Sequence, residues 1–353
     1  MRVLLGSILF WTLPLAGVQK SYIGAAACKP CHPAEFASQS ASGHARALYR
    51  AEAHPLASKF SLAEPVLRKP NFRFQFEMAA DGLRVRADDG KYVTELPVQW
   101  AFGAGDHAVT FVSKVSGEFY LEHSLSYYPA IGLFDLTPRH DALAAATLHQ
   151  AMGQPIKTRG PGAAITACFG CHSTGPVSVS SSGDALVTKA GIHCEVCHGP
   201  GSAHREGAAR GETGTAQLIE NPGRLSGEEL NRFCGRCHRA IAQSLDWNSP
   251  WSVRHQPPYL ARSRCFQNSG GKLSCLSCHT PHERVRRGDA AYYRARCATC
   301  HSAGNHPSAK ICTAQDNPDC AGCHMPAVAF EPRLKFANHW IGVYRQGALK
   351  PAR

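Results

Sequence analysis

The chain has 353 residues, sixteen cysteines and a formal net charge of +12. Its length is typical of two or three domains. A positive charge of this size is compatible with binding to nucleic acid or to a membrane surface. The sequence contains no nucleic-acid-binding motif, however. Nearly all of the cysteines fall into one repeated pattern, which indicates a different chemistry.

The first residues resemble a secretory signal. Arg2 supplies a positive start, and residues 3–18 are largely apolar. Because the apolar run is short and interrupted by Pro14, it makes a poor membrane span. We expect residues 1–18 to be a signal peptide and the mature protein to be periplasmic or extracellular, with no transmembrane segment. A retained N-terminal anchor is the alternative.

Seven Cys-x-x-Cys-His units recur along the chain, and this unit is the attachment signal for a c-type haem. The two thiols form thioethers with the haem vinyl groups, and the histidine binds iron from the near side. Positions i, i+3 and i+4 lie together on one helical turn, which brings the three groups to one haem. The units are Cys28-Cys31-His32, Cys168-Cys171-His172, Cys194-Cys197-His198, Cys234-Cys237-His238, Cys275-Cys278-His279, Cys297-Cys300-His301 and Cys320-Cys323-His324.

A row of zinc knuckles is the alternative, since paired Cys-x-x-Cys units also bind zinc. Zinc does not require a histidine directly after each pair, and here every pair has one. The sequence therefore predicts seven covalently bound haem c groups. The two remaining cysteines, Cys265 and Cys312, could form a disulfide in an exported protein or stay as free thiols near haems, and we prefer the disulfide. Since each haem carries two propionates, the excess of Lys and Arg is better explained as propionate partners.

The fold class that we expect is mainly α with extensive loops, a multihaem cytochrome c fold templated by covalent haems. Residues 19–58 form the first haem-binding segment, with helices expected over residues 34–40 and 44–54. Residues 131–353 form a domain with six haem motifs, in which residues 173–190, rich in Ser and Gly, are expected to be a surface loop.

Residues 59–130 have no haem motif and are expected to form one antiparallel β insertion. Apolar and polar residues alternate over 72–76 and again over 83–86, on either side of an Asp81-Gly82 turn, which is typical of a hairpin. Further strands are expected over residues 92–100, 109–115 and 119–128. We expect the aromatic residues of this region to form an ordinary sheet core.

A haem iron also needs a ligand on its far side, or it is open for chemistry. The chain has only four methionines, whereas twelve histidines remain beyond the seven in the motifs. Twelve histidines are enough to give every one of the seven haem irons a second histidine ligand. His282 follows His279 by three residues, so it would serve a neighbouring haem. His204, beyond a Gly-Pro-Gly turn after His198, would also cap a different haem. His54 and His193 are expected to be surface or supporting residues.

Several stretches resemble the multihaem cytochromes of the c-554 type. They are YIGAAACKPCHPAEF with SGHARAL, GIHCEVCHGPGSAH, CLSCHTPH, and CAGCHMP followed by NHWIG. The resemblance covers roughly residues 20–55 and 165–342. It implies an extracytoplasmic electron carrier with mostly bis-histidine haems in stacked and perpendicular pairs. By position it supports distal ligands in three ranks: first His44, His204, His282 and His339, then His140, His255 and His306, then His107, His123 and His149. The chain departs from the tetrahaem pattern in its seven motifs and its β insertion.

Three functions remain open from the sequence. The preferred one is a heptahaem electron carrier whose partners are other redox proteins, with no catalytic residue assigned. The second is an oxidoreductase in which one open haem acts on a nitrogen or sulfur oxyanion, with pocket candidates Tyr127, Tyr128, Arg254 and His255. The third is a subunit of a conductive cytochrome filament. The oligomeric state is left open.

Overall fold

The computed structural model describes residues 20–352 except 62–63, 69–70, 141–144, 161–163, 239–244, 303–311 and 313–316. The expected signal peptide and the candidate ligand His306 therefore lie outside the described residues. Within the described ranges, no helix is long and apolar enough to cross a bilayer.

The helices are short, and most of them carry or flank an attachment motif. Those in the described part of the chain are α1 (Pro33–Ser40), α2 (Leu148–Met152), α3 (Ile165–His172), α4 (Cys194–His198), α5 (Ser202–Ala209), α6 (Gly227–Gly235), α7 (Gln256–Ala261), α8 (Arg264–Gln267), α9 (Ala290–His301) and α10 (Cys320–His324). Isolated helices of this length are unstable in water, so they depend on what packs against them.

Local sequence explains where two of these helices begin. Pro33 occupies the first turn of α1, where its missing N–H is no loss. The Ser226 side chain accepts from the Glu229 N–H, and the Glu229 carboxylate accepts from the Ser226 N–H, which makes a capping box for α6. The helix expected over residues 34–40 is confirmed. The one expected over 44–54 is wrong, because residues 48–50 form a strand on the edge of a sheet.

The strands are concentrated between the first and third attachment motifs. They are β1 (Leu48–Arg50), β2 (Val66–Arg68), β3 (Phe72–Ala79), β4 (Gly82–Asp88), β5 (Val93–Val98), β6 (Trp100–Phe102), β7 (Val109–Ser116), β8 (Phe119–Tyr128), β9 (Leu133–Leu136), β10 (Gly153–Lys157), β11 (Ser173–Val179), β12 (Ala185–Ala190), β13 (Ala327–Glu331) and β14 (Leu334–Ala337). The hairpin and the three further strands expected between residues 72 and 128 are confirmed.

All of the strand pairings are antiparallel in the described residues. One sheet has the order β2-β3-β4-β5, and a larger one has the order β1-β6-β7-β8-β10, with β9 also paired to β8. Two separate hairpins, β11–β12 and β13–β14, lie outside these sheets. With 26% of the described residues in strands and 31% in helices, the expectation of a mainly α protein is not confirmed.

The main hydrophobic core fills the space between the two large sheets. Phe76 lies against Phe134 with ring centroids 4.3 Å apart, and Phe60 meets Phe111 edge-on at 4.9 Å. These side chains are almost completely buried, and such aromatic pairs add to the stability that burial provides. The expectation that the aromatic residues form a sheet core is confirmed.

The surface loop expected over residues 173–190 is wrong. The segment forms the β11–β12 hairpin, in which Val177 lies opposite Val187. Both valines pack on a second apolar cluster, and the Ala185 N–H donates to the Tyr120 hydroxyl at 2.8 Å. The segment therefore forms strands despite its Ser and Gly content, because its valines pack on apolar residues of the neighbouring sheet. A prediction from the local sequence does not include these partners.

Candidate haem-binding sites

All seven attachment motifs adopt the same local geometry. In α3, α4, α9 and α10 the motif is the last turn of the helix, and the motif histidine is its last residue. The other three motifs are turns in which the histidine N–H donates to the carbonyl of the first motif cysteine, at 2.9 Å for His32 and 3.0 Å for His238 and His279. The two thiols and the imidazole therefore share one side of a helical turn at every site, as haem attachment requires.

Four motif histidines each face a second histidine at nearly the same distance. The ring centroids are 6.3 Å apart for His32 and His204, 6.0 Å for His44 and His238, 6.1 Å for His198 and His282, and 6.2 Å for His279 and His339. Three of the pairs are within 32° of parallel, and His44 with His238 is crossed at 76°. The distal partners are the four histidines ranked first by the sequence.

This distance matches the space that one iron atom needs. A metal–imidazole bond is about 2 Å long, and a ring nitrogen lies about 1.1 Å from its ring centre, so two imidazoles on opposite sides of one metal have centroids about 6.2 Å apart. Rings in direct van der Waals contact would be closer. The four pairs therefore fit bis-histidine iron.

The Nδ1 atoms of these histidines hold the rings in the correct orientation. Nδ1 donates to a backbone carbonyl in His44 (Pro281, 3.2 Å), His198 (Glu220, 2.8 Å), His204 (Thr215, 2.9 Å) and His339 (Ala337, 3.0 Å). The same contact occurs in His172 with Ala47 at 3.0 Å and in His324 with Gly342 at 2.9 Å. A proton fixed on Nδ1 makes Nε2 the nitrogen that can bind iron.

Burial favours the neutral imidazole that a metal requires. It lowers the pKa of His238 and of His339 to about 4 each, with neighbouring histidines contributing in the same direction. Burial also lowers the pKa of His279 and of His282. Since iron binds the deprotonated ring, these surroundings suit ligation.

Other candidate histidines lie elsewhere. His140 is buried beside the large sheet, where its Nε2 lies 3.3 Å from a Glu122 carboxylate oxygen. His255 precedes α7, and its carbonyl accepts from the Tyr259 N–H. The structure does not place His140 beside a motif histidine, so sequence position alone was a poor guide to that residue.

The lower-ranked histidines are also placed. Buried His123 contacts the Ser113 hydroxyl at 2.7 Å, and His149 is exposed on α2. His107 packs on Phe336, and its buried Nε2 has no hydrogen-bond partner in the described structure. His54 and His193 use Nε2 on backbone carbonyls, as supporting residues do. Among the described residues, no histidine ring is paired with His301 or His324 at the bis-histidine distance.

The cysteines of different motifs are neighbours in space. Cys28 lies near Cys194, Cys234 near Cys275, Cys237 near Cys171, and Cys297 near Cys320. Burial and the neighbouring thiol raise the pKa of Cys28 to about 11. The attachment sites therefore adjoin one another, and the fourth site lies beside the second and the fifth.

The two cysteines outside the motifs are not bonded to each other in the structure. Cys265, on α8, lies near the attachment cysteines Cys278 and Cys300, and burial raises the pKa of its thiol. Cys312 is exposed. The preferred disulfide is thus absent from this structure, and the alternative of a thiol packed near haem sites fits Cys265.

Two of the oxyanion-pocket candidates belong to the β core. Tyr127 is buried against Phe60 and Phe134, and the Tyr128 hydroxyl donates to the Leu136 carbonyl at 2.6 Å. Arg254 lies over the ring of Trp251, 4.2 Å from its centroid. None of these contacts indicates a substrate pocket.

Residues 191–204 contact more attachment sites than the sequence predicted. In residues 191–204, the Gly191 N–H donates to the His172 carbonyl at 3.1 Å, and the Ile192 N–H donates to the His44 carbonyl at 2.9 Å. The same segment carries His198 and His204. It therefore touches the residues of four attachment sites. Buried Glu195 was not identified as a functional residue from the sequence. Its position between two attachment cysteines could have pointed to it, because a carboxylate there needs hydrogen-bond donors.

The chain is similar to a cytochrome family model and to two known proteins. The model of the family described as "Cytochrome c554 and c-prime" matches residues 135–199. The chain is similar to the multiheme cytochrome MtrA of Shewanella baltica, with 27% identity over 152 residues, covering 38% of this chain and 43% of that protein. It is also similar to the dissimilatory sulfite reductase MccA of Wolinella succinogenes, with 26% identity over 175 residues, covering 38% of this chain and 22% of that protein. The chain thus spans less than half the length of either relative.

A solved structure extends the likeness to most of the chain. The crystal structure of the outer cell wall cytochrome OcwA superposes with a TM-score of 0.52 at 15% sequence identity, covering 91% of this chain and 79% of that one. At this identity the likeness concerns the fold. The attachment motifs, the paired histidines and these likenesses together support a multihaem c-type cytochrome.

Proposed function

We propose that the chain is a heptahaem electron carrier in which most irons have two histidine ligands. The observation that carries this proposal is the set of four histidine pairs spaced 6.0–6.3 Å apart. Two histidines that held one haem iron between them would leave no position there for a substrate, which favours electron transfer over ligand chemistry. Bound haem supplies one-electron redox chemistry, and the chain's residues supply ligation, spacing and surroundings.

The contacts between attachment cysteines support close spacing of the sites. Cys28 and Cys194 join the first site to the third, and Cys297 and Cys320 join the sixth to the seventh. We propose that other redox proteins exchange electrons with these sites outside the cytoplasm, a location that the attachment motifs and the expected signal peptide support.

The haem number is tested by intact mass of the purified protein together with haem staining. Seven haems per chain are expected, and four or fewer would contradict the proposal. A variant with Cys194→Ala and Cys197→Ala should lose one haem. The matched control Cys265→Ser changes a half-buried cysteine outside the motifs and should keep all seven.

A second candidate is an oxidoreductase acting on a sulfur or nitrogen oxyanion. It is favoured by the similarity to a protein named as a sulfite reductase and by the sixth and seventh sites, whose His301 and His324 face no paired histidine among the described residues. An iron with only one protein ligand could bind an anion.

Electron paramagnetic resonance of the oxidised protein separates the two candidates. A carrier should show low-spin iron throughout, and the crossed His44–His238 pair should give a larger maximal g value than the near-parallel pairs. A stoichiometric high-spin signal that shifts on addition of sulfite or nitrite would support the enzyme instead.

A further inference from the structure

Glu195 is a buried carboxylate inside the third attachment motif. Only 3% of its surface is exposed, and its carboxylate accepts three backbone N–H bonds. Oε1 accepts from Ile23 at 2.9 Å and from Gly201 at 3.0 Å, and Oε2 accepts from Gly24 at 2.8 Å. A buried carboxylate is costly unless such bonds replace its water, so the three donors are held firmly to it.

The three donors come from two segments that are far apart in sequence. Ile23 and Gly24 lead directly into the turn that holds Cys28, and Gly24 has a φ of 78°, which favours glycine. Gly201 is the last residue before α5. Glu195 therefore joins the start of the first attachment motif to the start of the helix that carries His204.

Further contacts join residues 21–24 to residues 201–202, and we call this contact region the junction. The Ser21 N–H donates to the Ser202 hydroxyl at 2.9 Å, and the Ser202 N–H donates to the Ser21 carbonyl at 3.3 Å. A Cβ on Gly201 would lie 3.0 Å from the Ile23 side chain, so the two segments approach each other closely there. The junction is packed tightly, with little freedom for α5 to shift relative to the first motif.

What this junction fixes is one histidine pair. His204 lies three residues beyond Gly201, on the first turn of α5, and its ring faces His32 at 6.3 Å. His32 belongs to the first motif, and His204 belongs to the segment after the third motif. Without a link between these two segments, nothing in the local sequence determines the distance between the two rings.

We propose that Glu195 is a positioning residue that sets the His32–His204 distance and so makes the first site a bis-histidine site. The proposal rests on the proposed function, in which both rings bind one iron. Glu195 would not touch that iron. It acts by holding the Ile23–Gly24 backbone and the Gly201 turn to one carboxylate.

The experiment compares variants of the full-length holoprotein by electron paramagnetic resonance and intact mass. Glu195→Ala should keep every haem, because the attachment cysteines are unchanged, but should convert one haem from low-spin to high-spin. Glu195→Gln retains one acceptor oxygen and places an NH₂ group against a backbone donor, so it should shift the low-spin signal of the same haem. Glu206→Gln, which changes an exposed carboxylate on α5, is the matched control and should leave the spectrum unchanged.

His204→Ala separates failure of this proposal from failure of the proposed function. It should produce the same single high-spin haem as Glu195→Ala. If His204→Ala leaves all iron low-spin, then His32 and His204 do not share an iron and the pairing is wrong. If His204→Ala produces the high-spin signal while both Glu195 variants keep the wild-type spectrum, Glu195 is not a positioning residue. If Glu195→Ala does not accumulate, the Gln variant decides by the same criterion.

Discussion

The two sheets and the segment 191–352 are held together by different means. The buried apolar side chains of both clusters lie between residues 48 and 185, and they come from strands, from the turns between them and from α2 and α3. In the described part of residues 191–352, the buried apolar side chains are only Ile192, Leu230, Val253, Tyr259, Leu260 and Leu334. Yet this segment carries five of the seven attachment motifs.

The difference shows how a chain with few core residues can still be ordered. A haem is a large apolar group, and bonding it to two cysteines and two histidines ties distant segments together, as metal binding does in small metal domains. The sheets, by contrast, bury Phe, Val and Leu against one another and need no cofactor for their core.

The largest effect is expected from preventing haem attachment. The full-length chain made without haem should lose the order of the described part of residues 191–352, while β3, β4, β7 and β8 keep their hydrogen bonds. Hydrogen exchange followed by mass spectrometry, with the holoprotein as control, measures both regions in one sample. Equal protection of residues 191–352 with and without haem would contradict the contrast.

The reverse change removes a side chain from the sheet core. Phe111→Ala deletes a fully buried ring that packs on Phe60 and Phe134, and such a truncation typically costs about 3–5 kcal/mol of unfolding free energy. We expect faster exchange in the sheets with the haem number unchanged. Phe119→Ala, at a side chain that is 40% exposed, is the control. Loss of haem in Phe111→Ala would show that the two regions depend on each other.

A smaller effect should follow acidification. Burial, with a contribution from His140, lowers the pKa of His123 from 6.5 to about 3. The unfolded chain therefore binds this proton first, so the stability that neutral His123 contributes is complete above pH 6.5 and is lost as the pH falls towards 3. The slope is at most about 1.4 kcal/mol per pH unit. Denaturant unfolding between pH 4 and 7 measures how the unfolding free energy of the sheets depends on pH. This dependence should be weaker in His123→Gln, and an unchanged slope would exclude His123 as the cause.

The smallest structural effect, but a clear spectral one, is expected at a single iron. His339→Ala removes the ring that faces His279 and should turn one haem high-spin with little change in the sheets. His149→Ala, at an exposed histidine of α2, should leave all haems as they are. An unchanged spectrum in His339→Ala would remove this residue from the axial ligands.

Much of the sheet region could be predicted because its signal is local. Alternation over residues 72–76 and the Asp81-Gly82 turn give the β3–β4 hairpin directly. The β11–β12 hairpin could not be predicted, because Val177 and Val187 find their apolar partners on a sheet formed by other residues. The strand at residues 48–50 was missed for the same reason, since its partner β6 is some fifty residues away.

The sequence indicates which residues attach haem, because one motif carries two thiols and an imidazole on a single helical turn. It also indicated the four distal histidines that the structure brings opposite motif histidines. The pairing of each distal ring with its motif histidine depends on the packing of distant segments. His204 reaches His32 across 172 positions of sequence because a buried carboxylate, Glu195, holds both segments. Such distances depend on contacts between segments remote in sequence, and no local pattern encodes them.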